Sequence, residues 1–218
     1  TWSEHCKHKI FASKVAYENK ETGRKENIDN LYKTCIRDTT ARIREQLGDE
    51  DFCRSVFKDN AGVIAFSDEW DACIKVETHN SPSALDPYGG ALTGIVGVNR
   101  DPMGTGMGAN LLCNTDVFCF ASPFYDKELP PRLLHPRRVF EGVRCGVEHG
   151  GNKSGIPTVN GSIVFDERYL GKPLVYCGTV GMLPARLKNG QPGWKKKAEV
   201  NDCIVMVGGR IGKDGIHG

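Results

Sequence analysis

The chain has 218 residues, enough to bury a sizeable core and to hold one large domain or one domain with part of another. Charged residues make up 26% and the net charge is only +2, so no general electrostatic attraction draws the protein to nucleic acid or to an anionic membrane. No apolar run approaches the roughly 20 residues that span a bilayer, and the opening TWSEHCKHK is polar where a signal peptide would be apolar.

Residues 10–56 mix polar and helical character. Leu31, Cys35, Ile36, Ala41, Ile43 and Leu47 recur at loosely helical spacing, and Gly48-Asp49 supplies a stop. The period then changes. GVIAF (62–66) and ACIKVETH (72–79) are short β-rich runs separated by SDEWD, which predicts a hairpin or an adjacent strand pair. From Asn80 to Gly108, Gly and Pro cluster around the short apolar piece LTGIVGV, and the segment reads as a long loop of the kind that usually carries function.

NTDVFCFA (114–121) reads as a strand, followed by a Pro-rich connector from Pro123 to Pro136. In 137–149, Val139, Phe140, Val143 and Val147 share one helical face, and Gly150-Gly151 marks the end of that helix. SIVFDERY (162–169) and PLVYCGTVGML (173–183) alternate as strands, and Cys203 to Val207 reads as an apolar strand opening a new unit. Strands outnumber helices and fall in local pairs. The fold class is therefore α+β, a mixed sheet with helices on one face. Both ends read as cut, so the chain is expected to be a fragment of a longer polypeptide.

Nine cysteines are present, an odd number without a C-x-x-C pair, and most sit in apolar surroundings such as DVFCFA and LVYCGTV. This composition points to reduced, buried thiols and a cytoplasmic location rather than to a disulfide framework or a zinc site.

The chemistry concentrates in ACIKVETHN. In an extended strand, Lys75, Glu77 and His79 share one face, and Ile74, Val76 and Thr78 take the other. Such a charged triplet is by itself more often a solvated strand face than a site. Asn99-Arg100-Asp101-Pro102 follows at the far end of the Gly-rich segment. Arg100 offers bidentate recognition of phosphate or carboxylate, and Asp101 with Glu77 offers hard oxygens to Mg²⁺. An ordinary surface pair of Arg100 and Asp101 is the plainer reading. GTGMG (104–108) is too short for a dinucleotide fingerprint, and GVEHGGNKS (146–154) follows a helix where a P-loop would precede one. GGNKSGIPTVNG (150–161) can be a connecting loop or can line a cleft through backbone N–H groups.

Several segments together resemble one family. WSEHCKHK (2–9), KVETHNSPSALDP (75–87), GGALTGIVGVNRD (89–101), residues 150–181 and GGRIGKDGIHG (208–218) are similar to the synthetase portion of formylglycinamide ribonucleotide amidotransferases. The resemblance implies an N-terminal domain like that of aminoimidazole ribonucleotide synthetase over residues 1–200, with 201–218 starting a truncated C-terminal domain. It implies an ATP- and Mg²⁺-dependent carbon–nitrogen ligase acting on formylglycinamide ribonucleotide. Its partners would be a glutaminase domain or subunit that supplies ammonia, and a second synthetase copy in a dimer or pseudo-dimer.

By the same resemblance His5 and His79 are catalytic, His79 as proton acceptor, and His8 and Lys75 bind ATP. Thr78, His79, Asn80, Ser81 and Arg100 bind substrate, and Glu77 and Asp101 bind Mg²⁺. Ser81 departs from the histidine that many family members carry at its place. Two alternatives stand beside this reading: another ATP-using enzyme of the superfamily, and a non-catalytic nucleotide-binding copy of the domain. Either way, the fragment alone is expected to be inactive.

Overall fold

A computed structural model describes residues 11–210 and 212. Its frame is a six-stranded mixed sheet of order β3-β4-β5-β8-β6-β7. β3 (Cys53–Ser55), β4 (Gly62–Ala65) and β5 (Trp70–Thr78) form an antiparallel meander. The SDEWD turn is closed by the Ser67 hydroxyl, which accepts from Trp70 N at 3.1 Å.

β8 (Leu174–Pro184) lies between β5 and β6 (Asn110–Phe120), antiparallel to both. The strand order thus departs from purely local pairing. LVYCGTVGMLP is a long run without a turn residue that forces an edge, and Val175, Cys177, Thr179 and Leu183 are fully buried, so it takes the centre of the sheet. β7 (Thr158–Phe165) runs parallel to β6. A parallel neighbour needs a crossover, which α4 (Pro136–Ser154) provides.

The segment from Asn80 to Gly108 is not a loop. It folds as α2 (Asn80–Leu85) and α3 (Pro87–Met103), joined at Asp86, whose carboxylate caps α3 by accepting from Gly89 N at 3.3 Å. Pro87 fits the first turn, where its missing N–H costs nothing. The glycines that read as loop are packing positions. A Cβ at Gly90 would stand 2.4 Å from Ser83 N, and one at Gly146 of α4 would stand 2.4 Å from Tyr88 O. Gly142, Gly146 and Gly150 form an i, i+4, i+8 stripe that lets α4 lie against the backbone of α3.

α4 likewise runs past Gly150-Gly151 to Ser154, and Gly155 at φ 69° supplies the left-handed terminus. Residues 150–161 are therefore the last turn of a helix followed by the start of β7, not a connecting loop. Val139 and Val143 are buried against the sheet, with Phe140 and Val147 packed beside them, as their spacing predicts.

The helical spacing of 31–47 corresponds to a π-helical turn, Lys33–Arg37, and α1 (Asp38–Leu47), ended by Gly48 at φ 53°. Before it stands a hairpin of β1 (Val15–Glu18) and β2 (Lys25–Ile28), where the composition suggests only mixed polar and helical character. Its signal was present: Asn19 Oδ1 accepts from Glu21 N and Thr22 N at 2.9 and 3.0 Å, and Gly23 takes φ 71°. Cys203–Val207 forms no strand, and Ile204 and Val207 are exposed. An extended apolar run becomes a strand only beside a ladder partner, and none lies along it among the described residues.

The helices cover one face of the sheet. Ile74 and Val76 of β5 are exposed on the other face. The eight described cysteines are free thiols, and no described helix is long and apolar enough to cross a membrane.

Candidate active site

β5 behaves as its alternation dictates, but with the polar face inward. Lys75, Glu77 and His79 are half-buried beneath α3, while Ile74, Val76 and Thr78 are exposed on the opposite face. α3 runs back along this strand. Its Gly94 lies over His79, 3.2 Å separating the place of a Gly94 Cβ from the His79 Cβ. Gly97 comes next, with Glu77 Oε2 at 3.9 Å and Arg100 Nη2 at 4.0 Å from where its Cβ would be. Asp101 ends the stripe, its Oδ2 2.8 Å from Lys75 Nζ. Positions 94, 97 and 101 follow the i, i+3, i+7 spacing of one helical face. Two glycines and an aspartate thus meet a histidine, a glutamate and a lysine in reverse order.

Lys75 Nζ also lies 3.4 Å from Glu77 Oε1. Burial pulls the Lys75 ammonium down, but the hydrogen bond and charge of Asp101 and the charge of Glu77 outweigh it, and its pKa is raised. One cation therefore holds two carboxylates whose side chains remain 34% and 19% exposed. Arg100 is exposed on the last turn of α3, next to Asp101 in sequence. The donor set fits magnesium, which takes one or two protein carboxylates and completes its octahedron with phosphate and water. Among the described residues no group of three or more His, Cys, Asp or Glu comes together in a way that could hold a metal ion.

The strand hands over to α2 at His79. Its backbone N–H donates to Val175 O at 2.8 Å, its carbonyl accepts from Ser83 N at 3.3 Å, and its Nδ1 is buried without a protein partner. Asn80 is held by its own side chain, Oδ1 accepting from Val175 N at 2.8 Å. Ser81 follows in the first turn of α2. Thr78 stands apart from the rest of the strip, since it faces the uncovered side of the sheet beside Tyr176. His5 and His8 lie outside the described residues.

Beyond Asp101 the GTGMG loop is tied down. Gly106 N donates to Asp59 Oδ2 at 2.9 Å, Met107 N to Gly193 O at 2.9 Å, and Lys196 Nζ stands 2.5 Å from Asp59 Oδ1. Burial pushes the Asp59 carboxyl up, but these donors outweigh it and hold its pKa below the usual value.

The next two strands contribute to this floor residues that no motif in the sequence marks. Register places Thr179 opposite Lys75 and Asn114 opposite Thr179, then Cys177 opposite Glu77 and Asp116 opposite Cys177. Burial raises the Asp116 carboxyl to about 6 against the hydrogen bonds of Thr158 and Gly178 N. Burial, with the carboxylates of Asp116 and Glu77, pushes the Cys177 thiol up. The signal was available: in NTDVFCF, alternation puts Asn114 and Asp116 on the same side as the apolar Phe118 and Phe120.

Residues 58–183, more than half of the chain and all of this floor, match the family model of AIR synthase related protein, N-terminal domain. The chain belongs to this family. Its sheet and helices are the α+β fold expected from the resemblance. It is 35% identical over its whole length to the phosphoribosylformylglycinamidine synthase subunit PurL of Thermoplasma volcanium, of which it covers 24%. To the same subunit from Methanothermobacter thermautotrophicus it is 40% identical over 164 residues, 73% of this chain and 20% of that one. Among solved structures it is similar to Thermotoga maritima PurL complexed with FGAR, at 30% identity and a TM-score of 0.48, covering 61% of this chain and 19% of that one. The chain thus spans about a quarter of the length of the first of these relatives.

Proposed function

We propose that the chain is the ATP- and magnesium-binding N-terminal part of a synthetase that converts formylglycinamide ribonucleotide to formylglycinamidine ribonucleotide, using ammonia released from glutamine. The observation that carries this reading is the cluster of Lys75, Glu77 and Asp101 between β5 and the end of α3, with Arg100 beside it. The reaction needs phosphate held and its charge neutralised while an amide oxygen is phosphorylated, and it needs one base when ammonia then displaces phosphate.

Glu77 and Asp101 would hold Mg²⁺, which supplies charge neutralisation to the triphosphate. Lys75 would then turn from the two carboxylates toward a phosphate oxygen, and Arg100 would hold the substrate by its planar fork. His79 lies at the strand end beside this cluster, where its imidazole can accept the proton that ammonia loses on attack. Asn80, Ser81 and the first turn of α2 offer hydrogen-bond donors to the ribonucleotide; Ser81 does so without the charge a histidine would bring. Thr78 would reach the substrate only from the opposite face. His5 and His8 complete the reading as a second catalytic histidine and an ATP contact.

The uncovered face carrying Ile74 and Val76 supports a second synthetase copy packed there, since exposed apolar sheet faces are seldom left in water. A division at residue 200, a separate glutaminase and a cytoplasmic location belong to the same reading. The test is His79→Ala in the full-length protein, assayed with formylglycinamide ribonucleotide, ATP and ammonium. A folded variant that binds the ribonucleotide but no longer turns over ammonia supports the role; near-normal turnover removes His79 from the mechanism.

A further inference from the structure

The floor of the cluster holds a second polar group, buried more deeply than the first. Thr179 and Asn114 are fully buried and Asn99 of α3 is 3% exposed. Asn114 Nδ2 donates to Asn99 Oδ1 at 2.7 Å, to Gly178 O at 3.0 Å and to the Thr179 hydroxyl. The Thr179 hydroxyl in turn donates to Asn99 Oδ1. One asparagine of a helix is thereby bonded to two adjacent strands. This knot separates the two apolar clusters of the core, one around Ile95, Val143 and Val175 and the other around Val63, Cys73 and Leu183.

Its place on α3 gives it a consequence. Ala91 and Ile95 pack against Gly146 and Gly150 of α4, Asn99 carries their stripe onto β8 and β6, and the neighbouring stripe of 94, 97 and 101 faces β5. The contacts of Ala91 and Ile95 with α4 seat the first part of the helix, but they end a turn before Arg100 and Asp101. The hydrogen bonds that Asn99 Oδ1 accepts from both strands fix the roll from there on. They act where the helix is least able to fix itself, because Pro102 has no N–H to give to the carbonyl of Val98. Arg100 and Asp101 sit in that weakened turn. A roll toward β6 would carry Asp101 away from Lys75 and Glu77.

We propose that Asn99, Asn114 and Thr179 are positioning residues for the metal–nucleotide site, setting the distance of Asp101 from Glu77 by locking the roll of α3. This rests on the magnesium reading given above. The experiment uses the full-length protein and Mn²⁺ as probe, titrated in the presence of a non-hydrolysable ATP analogue and followed by electron paramagnetic resonance. Thr179→Val removes the hydroxyl at nearly constant shape, and Thr179→Ser keeps it. The first is expected to weaken Mn²⁺ binding about tenfold, and the second to leave it within about twofold of the parent.

Because Thr179→Val leaves two asparagines short of a partner, a second variant guards against simple unfolding. Asn99→Leu, Asn114→Leu and Thr179→Val together remove the directional bonds, and the one group left that loses a donor is Gly178 O, bonded by Asn114 Nδ2 in the parent. This variant is expected to melt near the parent's temperature yet to bind Mn²⁺ about tenfold more weakly. Parent-like Mn²⁺ affinity in a folded triple variant overturns the inference. Glu77→Gln and Asp101→Asn separate the two levels. If they weaken binding while the triple variant does not, only the positioning role fails; if they also leave it unchanged, the magnesium reading itself fails.

Discussion

Replacing Gly146 by Ala tests the helical account of the glycine-rich segments at one atom. The added Cβ would stand 2.4 Å from Tyr88 O, 3.1 Å from Leu92 N and 3.2 Å from the Ala91 Cβ. Two of these neighbours are backbone atoms of α3, so no flexible side chain can give way. Overpacking of this kind costs about 1–3 kcal/mol. Alanine's better helix propensity offsets about 1 kcal/mol of that, leaving a net loss of roughly 1–2 kcal/mol. Gly151, on the same helix, meets nothing closer than Ile156 O at 3.9 Å. Gly151→Ala should therefore gain up to about 1 kcal/mol. Equilibrium urea unfolding of both variants beside the parent protein, followed by far-ultraviolet circular dichroism, reads the difference. Gly146→Ala as stable as Gly151→Ala would refute the close approach of α3 and α4.

Asp116, raised to about 6 from a usual 3.8, resists ionising in the folded state. Its burial therefore costs nothing below pH 4 and progressively destabilises the protein as pH rises to 6, by up to about 3 kcal/mol. Unfolding free energies of Asp116→Asn and parent, compared from pH 4 to 7, should diverge in favour of the variant by that order; parallel curves would count against a buried acid. Lys75→Met leaves Glu77 and Asp101 facing each other, which should lower the metal-free melting temperature by a few degrees, about 1 kcal/mol for a half-buried cluster. Added Mg²⁺ should raise the variant's melting temperature more than the parent's, and an equal rise argues against a shared cation site. Cys177 is fully buried, and burial holds the Cys73 thiol up to about 11, so neither should react with an aromatic disulfide before unfolding, while Cys35 reacts at once.

The alternation in ACIKVETH was legible because strand geometry leaves no choice about which residues share a face. Which face turned inward was not legible. Ile74 and Val76 read as the core side by hydropathy, yet they are exposed and Lys75 and Glu77 lie under α3. A strand's inner face is decided by what packs on it, and the packing element here was hidden by its own composition. LTGIVGVNRDP carries the glycines of a loop because it is a helix pressed against a strand and a second helix. Single-sequence propensity assigns a glycine's freedom to the chain and not to the contact that requires it. The place of β8 was equally out of reach, since nothing within PLVYCGTVGML says which strands will flank it. Asn99, Asn114 and Thr179 lie far apart in sequence, and only the sheet register unites them.

The central claim is that Glu77 and Asp101, brought together by β5 and α3, serve ATP chemistry on formylglycinamide ribonucleotide. Its most direct test is ADP formation by the full-length protein with ATP, Mg²⁺, ammonium and that ribonucleotide, for the parent and for Asp101→Asn. The account predicts ADP formation that depends on both ribonucleotide and ammonium, and a loss of about 10²–10³-fold in the folded variant. Ribonucleotide-independent ADP formation, or an Asp101→Asn variant as fast as the parent, would contradict it.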